Sequence, residues 1–167
     1  MNKKLNILPA ALLVLFLSAI VALASCAAPV DTAEENASKN REFMSQVSKT
    51  TESLTDDLQG FSDAVAQDNY VAMRSQAESA SRSIDELEKI EAPDAMKDIK
   101  SEYVAGGKDL REALDGYIDL LSEIEASTEE QPYDFSSYED KLTEIQKKYD
   151  SGIDHLKEAD KKANEMP

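Results

Sequence analysis

The sequence predicts an all-α protein, an elongated antiparallel up-down bundle of four helices. Apolar residues recur at spacings of three and four throughout residues 41–167, and no stretch settles into the alternation of a half-buried strand. Short connections between successive helices favour antiparallel neighbours. A helix of about 30 residues is about 45 Å long at 1.5 Å per residue, so we expect a rod. We place the helices at about 41–67, 69–91, 93–126 and 135–163.

The first two helices follow from two apolar stripes, over residues 43–65 and 70–90. Between the stripes, either Asp68 or Asn69 is a suitable N-cap, because a short side-chain oxygen accepts a hydrogen bond from an unpaired backbone N–H group. The second helix is therefore expected to begin at about residue 69.

The third helix has the most regular stripe, over residues 96–124. Pro93 disfavours helical backbone at Ala92 and suits the first turn of the next helix, which sets the boundary. Gly106 and Gly107 lie inside the pattern, at a cost of about 1 kcal/mol each relative to alanine. Either a close helix crossing or a hinge can explain them, and the unbroken apolar phase favours one continuous helix.

The fourth helix is predicted to begin near residue 135 and carries a stripe over residues 138–159. Two caps are equally suitable for its start. Asp134 can cap it, with Tyr133 and Tyr138 as a hydrophobic staple, or Ser136 and Glu139 can form a capping box.

The third and fourth stripes share a detail beyond their periodicity. Tyr103 and Gly106 recur at an offset of 46 residues as Tyr149 and Gly152, within matched apolar positions. Repeated packing geometry, with the two helices crossing closely at the glycines, is one explanation. An internal duplication is the other.

The N-terminal segment combines a positive start, Lys3 and Lys4, with an apolar run over residues 7–23 that leads to small residues ahead of Cys26. The sequence Leu-Ala-Ser-Cys at residues 23–26 resembles a bacterial lipobox. That resemblance implies a diacylglycerol on the Cys26 thiol and cleavage between Ser25 and Cys26. The alternative, a plain transmembrane helix, needs about 20 apolar residues, and this run is shorter.

The resemblance implies a signal peptide over residues 1–25 and a lipidated residue at 26. Residues 27–40 have few large apolar side chains, so we expect 26–40 to be a flexible tether that frays into helix near Glu34, followed by the bundle over 41–167. Two acyl chains anchor a protein stably, whereas one binds a membrane only marginally. The expected location is the extracytoplasmic face of the cell membrane. As a whole, the chain looks like a small helical-bundle lipoprotein of a bacterial cell surface.

The composition excludes several classes of function. The chain has 167 residues and a net charge of −16, and without residues 1–25 it has 16 basic against 34 acidic residues. Nucleic acids and anionic lipid headgroups repel such a chain, because binding to them depends on clustered Lys and Arg. Once Cys26 is lipidated, no cysteine is left for a disulfide or a thiolate metal site.

We find no catalytic constellation and no metal motif in the sequence. His155 is the single histidine, and no serine lies in a nucleophile motif. Ferritin-like metal sites need Glu-x-x-His, but residue 152, three before His155, is a glycine. His155 and Glu158 share a helical face, where a solvent-exposed histidine beside acids is the common case. We predict that the protein is not an enzyme and holds no cofactor other than the lipid.

Acidic residues recur four apart in three trios, each along one helix face. They are a solvated surface, or they attract a cationic partner by contacts that weaken with salt. The trios are Asp94, Asp98 and Glu102; Asp115, Asp119 and Glu123; and Asp150, Asp154 and Glu158.

Five tyrosines fall on the predicted inner faces, where they are core residues or line a ligand pocket. The leading hypothesis is a membrane-tethered, non-enzymatic interaction module for an envelope protein or a cationic partner. The alternative is a receptor subunit that binds a small ligand between its helices. The tyrosines are Tyr70, Tyr103, Tyr117, Tyr138 and Tyr149.

Overall fold

The computed structural model describes residues 32–166 and is all-helical there, as predicted, with no strand in that range. Four helices pack against one another. Ser25, Cys26 and the predicted signal peptide lie outside the described residues. None of the helices within 32–166 is both long and apolar enough to cross a membrane. The helices are α1 (Thr32–Ala66), α2 (Tyr70–Lys89), α3 (Lys97–Glu125) and α4 (Tyr138–Asn164).

The start of α1 corrects the prediction of a flexible tether up to residue 40. The helix begins at Thr32, and residues 34–39 are helical although they are exposed. Glu34 and Glu35 lie in the first turn, where negative charge favours the helix N-terminus. Lys39 forms an ion pair with Glu35 one turn away, at 2.7 Å. Local charge interactions therefore support this N-terminal part of the helix, although its exposed side chains make no contact with the core.

The caps of α2 and of the segment before α4 decide between the alternatives left open by the sequence. Asn69 is the N-cap of α2, and its side chain accepts a hydrogen bond from the N–H group of Ala72 at 3.1 Å. Asp68 instead has a φ of 52°, in the left-handed region. Asp134 accepts from the N–H group of Ser136 at 2.9 Å and caps a short 3-10 helix, Phe135–Ser137. Asp134 thus caps the 3-10 helix, whereas α4 starts only at Tyr138, after Ser137, whose side chain makes no capping hydrogen bond.

The start of α3 also differs slightly from the prediction. Pro93 precedes a 3-10 helix, Asp94–Met96, and the α-helix begins at Lys97. Pro93 fixes φ but has an extended ψ of 155°, so it opens the tight turn rather than the α-helix itself.

The core consists of two clusters to which all four helices contribute. The larger joins α1, α2 and α3, and half-buried α4 residues pack against it. The smaller lies where the start of α1, the end of α2, the start of α3 and the end of α4 meet. The larger contains Leu54, Phe61, Ala64, Met73, Ala77, Ala80, Ile84, Leu110 and Leu114. The smaller contains Phe43, Val47, Leu87, Ile90, Met96, Ile99, Tyr103 and Ala159.

Helices α3 and α4 cross closely at two glycines. A Cβ atom on Gly106 would lie 2.8 Å from the carbonyl oxygen of Gly152, and a Cβ on Gly152 would lie 2.9 Å from the carbonyl oxygen of Gly106. Helix α3 continues through Gly106 and Gly107 without interruption. The structure therefore shows the close crossing, and not a hinge, as the reason for these glycines.

Helix α4 is the least buried of the four. Only Gly152 and Ala159 are fully buried on it. The larger side chains of its predicted stripe, such as Ile145 and Leu156, are half-buried. Because α4 packs mainly on α3, a wide strip of its surface remains open to solvent.

Candidate functional site

The end of α1 and the start of α2 meet the C-terminal half of α3, which in turn contacts the start of α4. The ring of Phe61 lies edge-on to the ring of Tyr117, with centroids 5.9 Å apart. The guanidinium of Arg74 donates a hydrogen bond to the hydroxyl of Ser122 at 2.9 Å. These contacts bring the end of α1 and the start of α2 against the C-terminal half of α3.

Negative charge is concentrated at this end. Residues 58–79 and 115–145, which we call the acidic end, contain 13 acidic and 2 basic residues. The rest of the described chain contains 20 acidic and 14 basic residues. The acidic end therefore carries a net charge of −11, and everything else between 32 and 166 carries only −6.

The trio Asp94, Asp98 and Glu102 lies outside the acidic end and is largely neutralised. Asp94 forms an ion pair with Lys97 at 2.6 Å. Glu102 pairs with Lys162 of α4 at 2.5 Å. Asp98 is exposed and makes no ion pair with another described residue. Two of the three charges are thus internally paired.

The trio Asp150, Asp154 and Glu158 is also outside the acidic end. Asp154 pairs with Lys157 at 3.5 Å, and Glu158 pairs with Lys161 at 3.4 Å. Asp150 accepts a hydrogen bond from a side-chain amide one turn earlier. Lysines on the same helix therefore soften this face.

The trio Asp115, Asp119 and Glu123 lies in the acidic end and is the least neutralised. Glu123 is paired with Lys141 of α4. Asp115 and Asp119 make no ion pair with any other described residue. Partial burial raises the pKa of the Asp115 carboxyl, and the neighbouring charge of Asp119 raises it further. Of the three trios, this one best fits a surface that attracts a cation.

A cleft of about 270 Å³ opens between α3 and α4 within and beside the acidic end. Gly116 lies opposite Ile145, and a Cβ on this glycine would approach the isoleucine side chain to 3.2 Å. Four carboxylates and two ammonium groups line the cleft around an apolar floor. The lining is Glu112, Gly116, Asp119, Leu120, Glu123, Lys141, Glu144, Ile145 and Lys148.

Sequence reasoning missed a polar seam between α3 and α4. His155 does not stand beside Glu158 as a free surface histidine, because its Nδ1 lies 2.7 Å from Oε2 of Glu102. Hydrogen bonds from Lys162 and from His155 lower the pKa of the Glu102 carboxyl. The sequence gives no signal for this cluster, since its members are more than 50 residues apart.

A second part of the seam surrounds Asp109. The hydroxyl of Ser151 donates to this carboxylate at 2.7 Å, and Lys148 lies 3.1 Å away. The Ser151 hydrogen bond is the main cause that lowers the pKa of Asp109. Both parts of the seam hold α4 on α3, so they position the cleft rather than line a reaction site.

The tyrosines behave mainly as packing residues. Tyr103 is buried and its hydroxyl donates to Asp160 at 2.5 Å. Burial raises the pKa of Tyr117 to about 12. A second cleft, of about 420 Å³, lies between α2 and α3, with Arg74, Arg82 and Asp115 in its lining. No tyrosine lines either of these two clefts, so the receptor hypothesis gains no support from them.

An exposed aromatic cluster, which sequence reasoning missed in part, lies in the acidic end. The ring of Phe135 contacts the rings of Tyr133 and Tyr138, with centroids 4.9 and 6.1 Å away. Phe135 is 48% exposed, and Val71, also in the acidic end, is the other large apolar side chain that the described residues leave exposed. The sequence showed Tyr133 and Tyr138 near a helix start, but gave no reason to single out Phe135.

Within residues 32–166 there is no group of three or more His, Cys, Asp or Glu side chains arranged to hold a metal ion. In comparisons with known proteins, no family model, no curated protein and no solved structure matches this chain.

Proposed function

We propose that this protein is a lipid-anchored, extracytoplasmic lipoprotein that binds a cationic segment of another envelope protein without catalysis. The observation that carries the proposal is the acidic end, with its net charge of −11 and its unpaired Asp115 and Asp119. Exposed charge of one sign raises the local concentration of oppositely charged partners and speeds their encounter. Exposed Phe135 at the same end adds apolar contact area.

In this proposal, the lipid anchor and the acidic end are at opposite ends of α1. Helix α1 begins at Thr32, six residues after Cys26 in the sequence. The 35 residues of α1 span about 52 Å. In this proposal the chain is cleaved between Ser25 and Cys26, and Cys26 carries a diacylglycerol. The proposal requires no other cofactor.

Contacts between helices support an elongated, antiparallel up-down arrangement. Along α3 and α4, Lys141 pairs with Glu123, Lys148 with Asp109 and Lys162 with Glu102. From the first pair to the third, the α3 residue lies progressively closer to the start of α3, and the α4 residue lies progressively closer to the end of α4. The α1–α2 pair, joined by a turn of three residues, fits the same topology.

The anchor is tested with the full chain and its Cys26→Ser variant in a bacterial host. Metabolic labelling with an alkyne fatty acid should mark the wild-type protein, which should stay in the membrane fraction after a high-salt wash. The Cys26→Ser variant should remain unlabelled. Equal membrane retention of an unlabelled wild-type chain would instead support an uncleaved transmembrane segment.

Partner binding is tested with a hexaarginine peptide at several salt concentrations. We expect affinity to fall steeply with salt and to drop in the double variant Asp115→Asn/Asp119→Asn. The matched control, Asp94→Asn/Asp98→Asn, removes the same number and type of charges from the 3-10 helix before α3 and from the first turn of α3. Equal losses in both double variants would mean that net charge alone attracts the peptide, and would contradict a site at the acidic end.

A further inference from the structure

The aromatic cluster in the acidic end is held in place before any partner arrives. Asp134 caps the 3-10 helix that contains Phe135, and an edge-on contact with Tyr133 and a tilted contact with Tyr138 fix the direction of the Phe135 ring. A ring that is 48% exposed contributes little to the core. Because the ring is already fixed, little side-chain conformational entropy is lost when a ligand binds to it.

The cluster already accepts one cation from its own chain. The ammonium group of Lys141 lies 5.8 Å from the centre of the Tyr133 ring and forms an ion pair with Glu123. An ammonium or guanidinium near the face of an aromatic ring is attracted by the ring quadrupole. Lys141 thus shows the chemistry that this surface favours, a cation shared between a ring and a carboxylate.

The Phe135 ring has carboxylates near it in sequence and no such cation of its own in the described structure. Lys141 is the one basic residue between 115 and 145, so all the other charged side chains in these segments are acidic. The exposed acids that flank the ring along the chain are Glu129, Glu130, Asp134, Glu139 and Asp140.

We propose that this aromatic cluster is the part of the acidic end that receives a lysine or arginine side chain of the partner, over the open side of the Phe135 ring. The inference rests on the proposed function and deepens it, since it assigns the contact to named residues and predicts a basic segment as the partner. Carboxylates attract the segment over distance, and the ring adds a short-range contact that salt screens less.

The test uses hexaarginine and the variants Phe135→Leu and Phe135→Trp. Leucine keeps an apolar side chain but removes the quadrupole, so we expect a two- to fivefold loss of affinity at every salt concentration. Tryptophan, the best ring for cations, should bind at least as tightly as the wild type. The control Val71→Ala, in the same acidic end, should leave affinity unchanged.

A second comparison does not depend on Phe135. Lys141→Met frees the Tyr133 ring and Glu123, whereas Lys147→Met removes the same charge from an exposed position on α4. We expect the first variant to increase hexaarginine affinity more than the second. Melting temperatures of all variants check that the fold is intact. If Phe135→Leu proves unstable, the comparison of Lys141→Met with Lys147→Met tests the proposal instead.

The outcomes separate the two proposals. If Phe135→Leu binds like the wild type while Asp115→Asn/Asp119→Asn binds less, the acidic end remains the site and the aromatic contact is wrong. Equal effects of the two lysine variants would also overturn it. If the wild-type protein does not bind hexaarginine at low salt, both proposals fail.

Discussion

Gly106 and Gly152 face each other across α3 and α4, so that a Cβ atom on Gly106 would lie 2.8 Å from the carbonyl oxygen of Gly152. No side chain separates the two backbones at this point. The crossing brings together the seam around Glu102 and Asp109 on either side of it. The position of α4, and with it the cleft in the acidic end, depends on this contact.

We expect Gly106→Ala to destabilise the protein. Alanine favours the helix by about 1 kcal/mol, but the new methyl group meets backbone, and overpacking of this kind costs about 1–3 kcal/mol. The melting temperature should fall by a few degrees. Thermal unfolding followed by circular dichroism measures it.

Gly60→Ala is the matched control for that substitution. Its Cβ would meet only the flexible end of the Gln76 side chain, at 2.7 Å, which can move away. The helix preference of alanine should then stabilise α1 by up to about 1 kcal/mol. If both variants raised the melting temperature, the Gly106–Gly152 crossing would be looser than the structure shows.

Glu102→Gln should lower the melting temperature by a few degrees near neutral pH. Hydrogen bonds from Lys162 and His155 hold the pKa of Glu102 below its ordinary value. A carboxyl with a lowered pKa in the folded state contributes stability above its unfolded pKa, and this is lost as the pH falls through the folded pKa. The difference between wild type and variant should therefore shrink as the pH falls, and close once the pH is below the folded pKa of Glu102.

The control for Glu102→Gln is Asp98→Asn, one turn away on α3. Asp98 is exposed and has no ion pair among the described residues, so its variant should lower the melting temperature much less near neutral pH. A constant difference for Glu102→Gln from pH 7 to pH 3 would show that lost packing, and not charge, is responsible.

Asp115→Asn should raise the melting temperature near neutral pH. Burial and the charge of Asp119 raise the pKa of Asp115, so its ionised form is less favourable in the folded than in the unfolded chain. The sign is opposite to that of Glu102, because the penalty exists above the pKa and disappears as the carboxyl is protonated. The increase in melting temperature should vanish at acidic pH. An Asp115→Asn variant that is less stable than the wild type near neutral pH would contradict the prediction.

That substitution also connects stability with function. If Asp115→Asn is more stable but binds hexaarginine less tightly, the carboxylate is kept at a cost to folding, as is common for binding residues. Calorimetric unfolding and peptide titration on the same sample give both quantities.

Tyr103→Phe should destabilise the protein by about 1–2 kcal/mol, because the buried side chain loses its hydrogen bond to the carboxylate of Asp160. Tyr149→Phe is the control. Tyr149 is half-buried and its hydroxyl makes no hydrogen bond to a described residue, so the change should stay within about 0.5 kcal/mol. Urea unfolding of both variants gives the two values, and similar losses would mean that the Tyr103 hydroxyl is not the source.

Much of the fold could be predicted from local pattern. Asn69 was among the predicted caps of α2, because capping is a contact between neighbours in sequence. Asp134 does make a capping hydrogen bond, but for the 3-10 helix before α4 and not for α4 itself. The start of α1 was wrong for the converse reason. Residues 34–39 have no apolar stripe, and the charge effects that support their helix are weaker than the periodicity on which the prediction relied.

The candidate site could be predicted only in part. The sequence identified the trio Asp115, Asp119 and Glu123, but it ranked the trio no higher than the other two. The difference lies in the lysines: Lys162 reaches Glu102 from another helix, while Asp115 and Asp119 receive none. Pairing across helices depends on their register, which periodicity does not specify.

By itself, the sequence determined the helical class, the positions of the breaks and the net charge, since these follow from spacing, proline, caps and composition. The tertiary structure alone decided that Gly106 meets Gly152, that His155 meets Glu102 and that Phe135 stays exposed among acids. The physical reason is that each of these depends on the distance and rotation between two helices. Those quantities result from packing the whole core and are not encoded in any one segment.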